Sequence, residues 1–392
     1  MNQIHRLMIS SLCSVVVLLG CSAPPTPPVQ ESIDTEEALT KQLLSNELTS
    51  EYYRTMLPYK SSPTRGLVYS KLKNRYDIDT FDLALMRESQ AYFDPNEVYF
   101  QEGQNLTKAT VQELLSKKLT ESELATELEL DEDYVDIGLN PTSDEILNVD
   151  GIEFNPVYLS YLLEQDYVIQ EDQETVLDGV TIGLALNPYQ TWQDELGYDQ
   201  TLALSDDLLI EKGKEIAQRL VDILRTFEEF ETVPIMIGLY IVQEESSVTP
   251  GYMVAKTLVG EKDSQIKSWE SINEKYYLLP DSTTLAFDAN LSTQFSNFKE
   301  VIKDYYPHYY GIIGIAHFID DKVVNLEITV NIDFYGLAEK LSFHQLLAQL
   351  IPEAFSLNYN INVVIRSSEE IYGVLTRTAN ENEVTLKLTS WE

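Results

Sequence analysis

The sequence predicts an α+β fold: two tandem α+β repeats with mostly antiparallel sheets, preceded by a helical N-terminal region. Three observations predict it. Val324, Leu326, Ile328, Val330, Ile332 and Phe334 alternate with Asn325, Glu327, Thr329, Asn331 and Asp333, the period of a strand with one buried face. An amphipathic stretch and further short alternating runs follow it. The same order of elements occurs once more, earlier in the chain.

In the later copy the helix is expected over Leu337 to Ile351, with Leu341, Leu347 and Leu350 among its apolar positions. Strands are expected at Ile361–Ile365, Tyr372–Val374 and Val384–Leu388, before the closing Ser390-Trp391. The earlier copy begins with Val180, Ile182, Leu184 and Leu186 in alternation. Ser205-Asp206-Asp207 then offers side chains to cap a first helical turn, and Ile216, Leu220, Ile223, Leu224 and Phe227 sit at helical spacing. Strands follow at Ile235–Ile241 and Tyr252–Val254, then Ile266 and Ser268-Trp269.

Leu184 corresponds to Val330, Ile237 to Val363, Tyr252 to Tyr372 and Trp269 to Trp391, at offsets of 146, 126, 120 and 122. The first fall in offset places about twenty extra residues between the first two strands of the earlier copy, around a loop from Tyr189 to Tyr198. Upstream of each copy an apolar segment is read as helical, Tyr158 to Val168 and Leu291 to Tyr305. Residues 131–270 and 271–392 are the two repeats. Residues 49–130 form the helical region, with helices over Leu67–Gln90 and Lys108–Leu128 and a break at Asp94-Pro95-Asn96.

The N-terminus reads as an export signal. Met1 to Arg6 is short, polar and positively charged, and Leu7 to Leu19 is apolar apart from a few serines. That run is shorter than the roughly 20 apolar residues a bilayer span requires. It ends in Leu18-Leu19-Gly20-Cys21, which resembles a bacterial lipobox, so residues 1–20 are expected to be removed and Cys21 to carry lipid. Two acyl chains suffice for stable anchoring where one does not. The membrane is thus the first expected partner, engaged through the anchor at the outer face of the cytoplasmic membrane. Residues 21–48, with Ala23-Pro24-Pro25-Thr26-Pro27-Pro28 and then acidic residues, read as a disordered tether.

Cysteine usage narrows the chemistry. The two cysteines are Cys13, inside the signal, and Cys21. A body without free thiols has no cysteine nucleophile, no thiolate metal site and no disulfide. The 27 Lys and Arg against 64 Asp and Glu give a net charge of −37, which argues against nucleic acid as a partner. With 44% hydrophobic residues the chain is still a folded protein.

Short segments spread along the chain carry a family resemblance. Tyr52-Tyr53-Arg54, Leu57-Pro58-Tyr59-Lys60, Thr64-Arg65-Gly66-Leu67, Phe100-Gln101-Glu102-Gly103-Gln104, Gly138-Leu139-Asn140-Pro141, Leu163-Glu164-Gln165-Asp166-Tyr167 and Gly183-Leu184-Ala185-Leu186-Asn187-Pro188 together resemble the CamS family. Its members are lipoproteins regarded as precursors of bacterial sex-pheromone peptides. The resemblance implies that a hydrophobic peptide is cut from the end of the signal. The matching residues are Ser14, Val15, Val16, Val17, Leu18, Leu19 and Gly20, which depart from the family's Ala-Ile-Phe-Ile-Leu-Ala core.

No catalytic constellation stands out in the body, which is read as a non-enzyme with no cofactor and no metal site. His308, His317 and His344 form no short metal-binding pair, and there is neither a nucleophile elbow nor a phosphate loop. A binding role is better motivated. Arg54 and Arg65 are flanked by Tyr52, Tyr53 and Tyr59, and guanidinium groups among aromatic rings hold carboxylates or stack planar groups. Trp192 in the extra loop is a second candidate contact. The alternative function is therefore an extracellular binding module for a peptide, glycan or protein.

Overall fold

The computed structural model describes residues 42–43, 52–172, 174–193 and 196–389. The signal, Cys21, the peptide Ser14–Gly20, nearly all of the tether and Trp391 lie outside the described residues.

In chain order the first half comprises β1 (Gln42–Leu43), β2 (Arg54–Leu57), α1 (Leu67–Lys71), α2 (Arg75–Ser89), β3 (Tyr99–Glu102), α3 (Lys108–Leu114) and α4 (Glu121–Leu130). It continues with β4 (Leu147–Val149), β5 (Ile152–Phe154), β6 (Leu159–Glu171), β7 (Glu174–Leu186), β8 (Tyr189–Gln193) and β9 (Asp199–Ala203). Then come α5 (Asp206–Leu224), β10 (Ile235–Ile241), β11 (Tyr252–Val259) and β12 (Glu270–Ser271). The second half runs β13 (Glu274–Leu279), α6 (Ser282–Phe287), α7 (Ala289–Tyr305), β14 (Gly311–Ile319) and β15 (Lys322–Asn331). It ends with α8 (Leu337–Ala354), β16 (Asn360–Arg366), β17 (Ile371–Arg377) and β18 (Thr385–Leu388).

Two main sheets result, an eight-stranded one in the order β1-β2-β3-β6-β7-β10-β11-β12 and a six-stranded one running β13 to β18 in sequence order. The fold is α+β with mostly antiparallel strands, as the sequence predicts. In each sheet a helix connects two parallel neighbours, α5 between β7 and β10 and α8 between β15 and β16. Leu184 pairs with Leu239 in the first sheet and Val330 pairs with Ile365 in the second. The two sheets therefore share a connection order and a register. Each builds its own core.

The structure corrects the sequence reading at four places. Tyr158 to Val168 is not helical: most of it is β6, a strand between β3 and β7. Residues on both of its faces are buried, among them Leu159, Leu162, Gln165 and Asp166, so it shows no alternation to distinguish it from a helix. The region 49–130 is not purely helical, because β2 and β3 join the large sheet. Each of its two expected helices is broken. Asn74 caps α2 by accepting the Tyr76 amide, and Thr120 and Glu123 form a capping box that starts α4 afresh. The extra segment from Tyr189 to Tyr198 is not a loop throughout: it opens with β8, which pairs with β9 immediately after the segment to form a hairpin.

The two sheets differ in how they are covered. In the first, Gly183 and Gly238 lie under α2, while Leu186 and Leu239 face Gly213 of α5, so helices cover both faces. A Cβ on Gly183 would fall 2.2 Å from Leu85 Cδ1 and 2.5 Å from Phe81 Cζ, so the glycine is what lets α2 sit down on the strands. In the second, Gly314 faces Phe295 of α7 and Gly373 faces His344 of α8, placing both helices on one side. The other side of that sheet carries Ile315, His317, Asn325 and Glu327, and part of it meets α2.

Candidate ligand groove between the halves

The helix α2 serves both halves. Asp77, Phe81, Ala84, Leu85 and Ser89 are its buried residues toward the first sheet. Asp77 fastens it there by accepting the backbone amides of Gln243 (2.8 Å) and Gly251 (2.5 Å) and the hydroxyl of Tyr240 (3.0 Å). Burial nevertheless pushes the Asp77 carboxyl above its ordinary value, outweighing those three bonds. Tyr76, Thr80, Leu83 and Arg87 follow the i, i+4, i+7, i+11 spacing of a separate stripe and line a groove.

The opposing wall is the uncovered face of the second sheet. Tyr276 of β13, Ile315 and His317 of β14, Asn325 and Glu327 of β15 and Asn360 beside them complete a cavity of about 490 Å³. That is the size range of small-ligand sites. Tyr52 lies at the rim, 38% exposed, with Tyr76 at 45% and Leu83 at 49%.

A buried ion cluster forms one end. The Glu274 side chain is fully buried; it accepts the Met253 amide (2.7 Å), lies 2.6 Å from His317 Nε2 and pairs with Arg87 Nη2 at 2.8 Å. Burial alone raises a carboxyl pKa, but the His317 bond and the Arg87 charge together hold Glu274 below its ordinary value. Arg87 also pairs with Glu88 (2.9 Å), which in turn holds Lys256 at 2.9 Å. The Tyr276 ring stacks on the His317 ring at 4.4 Å and 4°. Burial first, and the Glu274 charge second, push the Tyr276 phenol far above its ordinary value. No three His, Cys, Asp or Glu side chains among the described residues are grouped to hold a metal ion.

The five binding candidates of the sequence do not converge. Tyr52 lines the groove. Tyr53 is a core residue, 5% exposed, whose hydroxyl meets Ser89 Oγ (2.9 Å) and donates to the Phe93 carbonyl (2.8 Å), so it is not free to touch a ligand. Arg54 stacks on Tyr99 and donates to the Asn96 carbonyl (2.6 Å). Arg65 lies 5.5 Å from the Tyr59 ring centre and 3.9 Å from Glu102. Trp192 lies flat on Phe154, 5.5 Å away, at the β8–β9 hairpin. Arg87, Glu274 and Tyr276 carry no signal in the sequence, since α2 and β13, far apart in the chain, bring them together. The apolar run Ile312 to Ile319 places His317 on a strand but does not show its partners.

The CamS sex pheromone cAM373 precursor family model matches residues 59–383. The chain belongs to the CamS family. A sex pheromone precursor from Lactobacillus salivarius has a similar structure, with a TM-score of 0.78 and 27% identity, covering 90% of this chain and 100% of that one. The C-terminal domain of the staph-cAM373 sex pheromone precursor from Staphylococcus aureus superposes with a TM-score of 0.68 and 26% identity, covering 82% and 98% of the two chains. No match was found among curated proteins. Among the described residues of this CamS chain, no helix is long and apolar enough to cross a membrane.

Proposed function

We propose that this CamS chain is an exported lipoprotein precursor with two products. One is a short hydrophobic signalling peptide, Ser14 to Gly20, released from the end of the signal. The other is the folded body, lipid-anchored through Cys21 at the outer face of the cytoplasmic membrane. The observation that carries the reading is Leu18-Leu19-Gly20-Cys21 ahead of a chain matched to sex pheromone precursors. The small Gly20 suits a narrow peptidase cleft, and the Cys21 thiol is the group that takes a thioether-linked lipid. Its side chains carry no charge and no aromatic ring, so burying them in an apolar receptor groove would cost little desolvation.

Mass spectrometry of the chain purified from producer membranes tests both products. A diacylated N-terminal Cys21, with Ser14–Gly20 in the culture fluid, is the expected result. An unmodified Cys21 or a retained leader overturns the anchor; a modified Cys21 without the peptide overturns only the signalling product. For the body, the groove between α2 and the second sheet supports a role as an extracellular binding module.

A further inference from the structure

We infer that the groove between α2 and the uncovered face of the second sheet binds a short, extended, basic peptide segment. The inference rests on the reading of the body as a binding module and names its ligand. Three features of the lining select the class.

The charges come first. Inside the groove Arg87 is held by Glu274 and Glu88, and His317 by Glu274. Glu327 is exposed, accepts an amide proton from Asn325 at 3.3 Å and makes no ion pair among the described residues. The uncompensated charge at the groove is therefore negative, within a chain whose net charge is −37. A field of that sign draws cations in and repels acidic ligands.

The aliphatic side chains come second. Leu83, Ile315, Ile319 and Val324 line the groove. A glycan would press hydroxyls against them without partners, at the cost of burying unpaired polar groups. Apolar side chains of a peptide would gain there instead. The third feature is the placing of amides and rings. Asn325 and Asn360 can bond a peptide backbone, and Tyr52, Tyr76 and Tyr276 can pack along a Lys or Arg stem.

Titration calorimetry of the full chain with the acetylated, amidated pentapeptide Lys-Leu-Lys-Leu-Lys tests the assignment, with its Glu-for-Lys counterpart and chitotriose as the other probes. The basic peptide is expected to bind, Glu327→Gln to weaken it about tenfold, and Ile315→Trp, which fills the groove, to abolish it. Glu153→Gln, on the exposed β4–β5 hairpin, is expected to leave it unchanged. Thermal unfolding confirms that each variant is folded. Loss in Glu153→Gln equal to that in Glu327→Gln, or binding that survives Ile315→Trp, would show mere adhesion to an acidic surface and overturn the site. Equal binding of the acidic counterpart overturns the charge selection. Chitotriose binding that Ile315→Trp abolishes, without peptide binding, keeps the binding module and overturns the peptide. Binding of none of the three overturns both.

Discussion

Arg87 on α2 and Glu274 on β13 meet at 2.8 Å across the junction of the two halves, and the carboxylate they share with His317 is fully enclosed. Ion pairs on a surface contribute little, but a buried carboxylate stripped of one partner leaves a charge that the interior cannot solvate. Glu274→Gln is therefore expected to lower unfolding stability by about 3–5 kcal/mol in urea titration, because Arg87 and His317 keep an amide oxygen but lose the buried negative charge they share. Arg87→Met combined with Glu274→Gln is expected to cost less than the two single changes added together.

The same carboxylate sets an acid limit. Its folded value lies below its unfolded one, so its stabilising contribution is fully present above the unfolded carboxyl range and is lost as pH falls through the folded value. Stability followed by urea titration at decreasing pH should fall less steeply through the acid range in Glu274→Gln than in the parent chain. Parallel curves would show that this carboxyl does not govern the acid limit.

The seating of α2 depends on missing atoms. A methyl group at position 183 would press on Leu85 and Phe81 at distances no real Cβ shows. Gly183→Ala is expected to destabilise the chain by about 1–3 kcal/mol in thermal or urea unfolding, the cost of an overfilled core. Leu85→Ala, itself a costly core deletion, should cost less in the Gly183→Ala chain than in the parent, because the new methyl fills part of the space it opens.

What was legible in the sequence follows from which interactions are local. The second sheet shows its period because α7 and α8 cover one face and leave polar residues such as Asn325 and Glu327 on the other. Ser205 announces the start of α5, where its side chain accepts the Leu208 amide. β6 hides because both its faces are buried, and β2 and β3 hide because their place in the sheet depends on partners far along the chain. The groove is assembled from Tyr52, the outer stripe of α2 and strands more than 180 residues further on. Of the five binding candidates only Tyr52 falls in it, since an exposed tyrosine near a cation says nothing about which distant strand will face it.

A second buried carboxylate site gives the opposite pH signature. Glu164 and Asp166 are 5% and 1% exposed, and Asn105 Nδ2 bridges them at 2.9 Å and 3.1 Å. The amides of Asn105 and Leu106 donate to Glu164, and that of Gln104 to Asp166. Burial first, and the Glu164 charge second, push the Asp166 carboxyl far above its ordinary value. A carboxyl whose folded value is raised binds a proton on folding, so it opposes folding in full above that raised value, opposes it less and less as pH falls below it, and stops opposing it only below the ordinary unfolded carboxyl value. Asp166→Asn supplies a permanently neutral side chain that can still accept the Gln104 amide and can donate to Glu164. It is expected to stabilise the chain by on the order of 1 kcal/mol above the raised value, with the gain shrinking toward zero as the pH is lowered below it. Urea titrations of the two chains across that range measure the difference directly. A gain independent of pH would mean that the proton is not held at this pair.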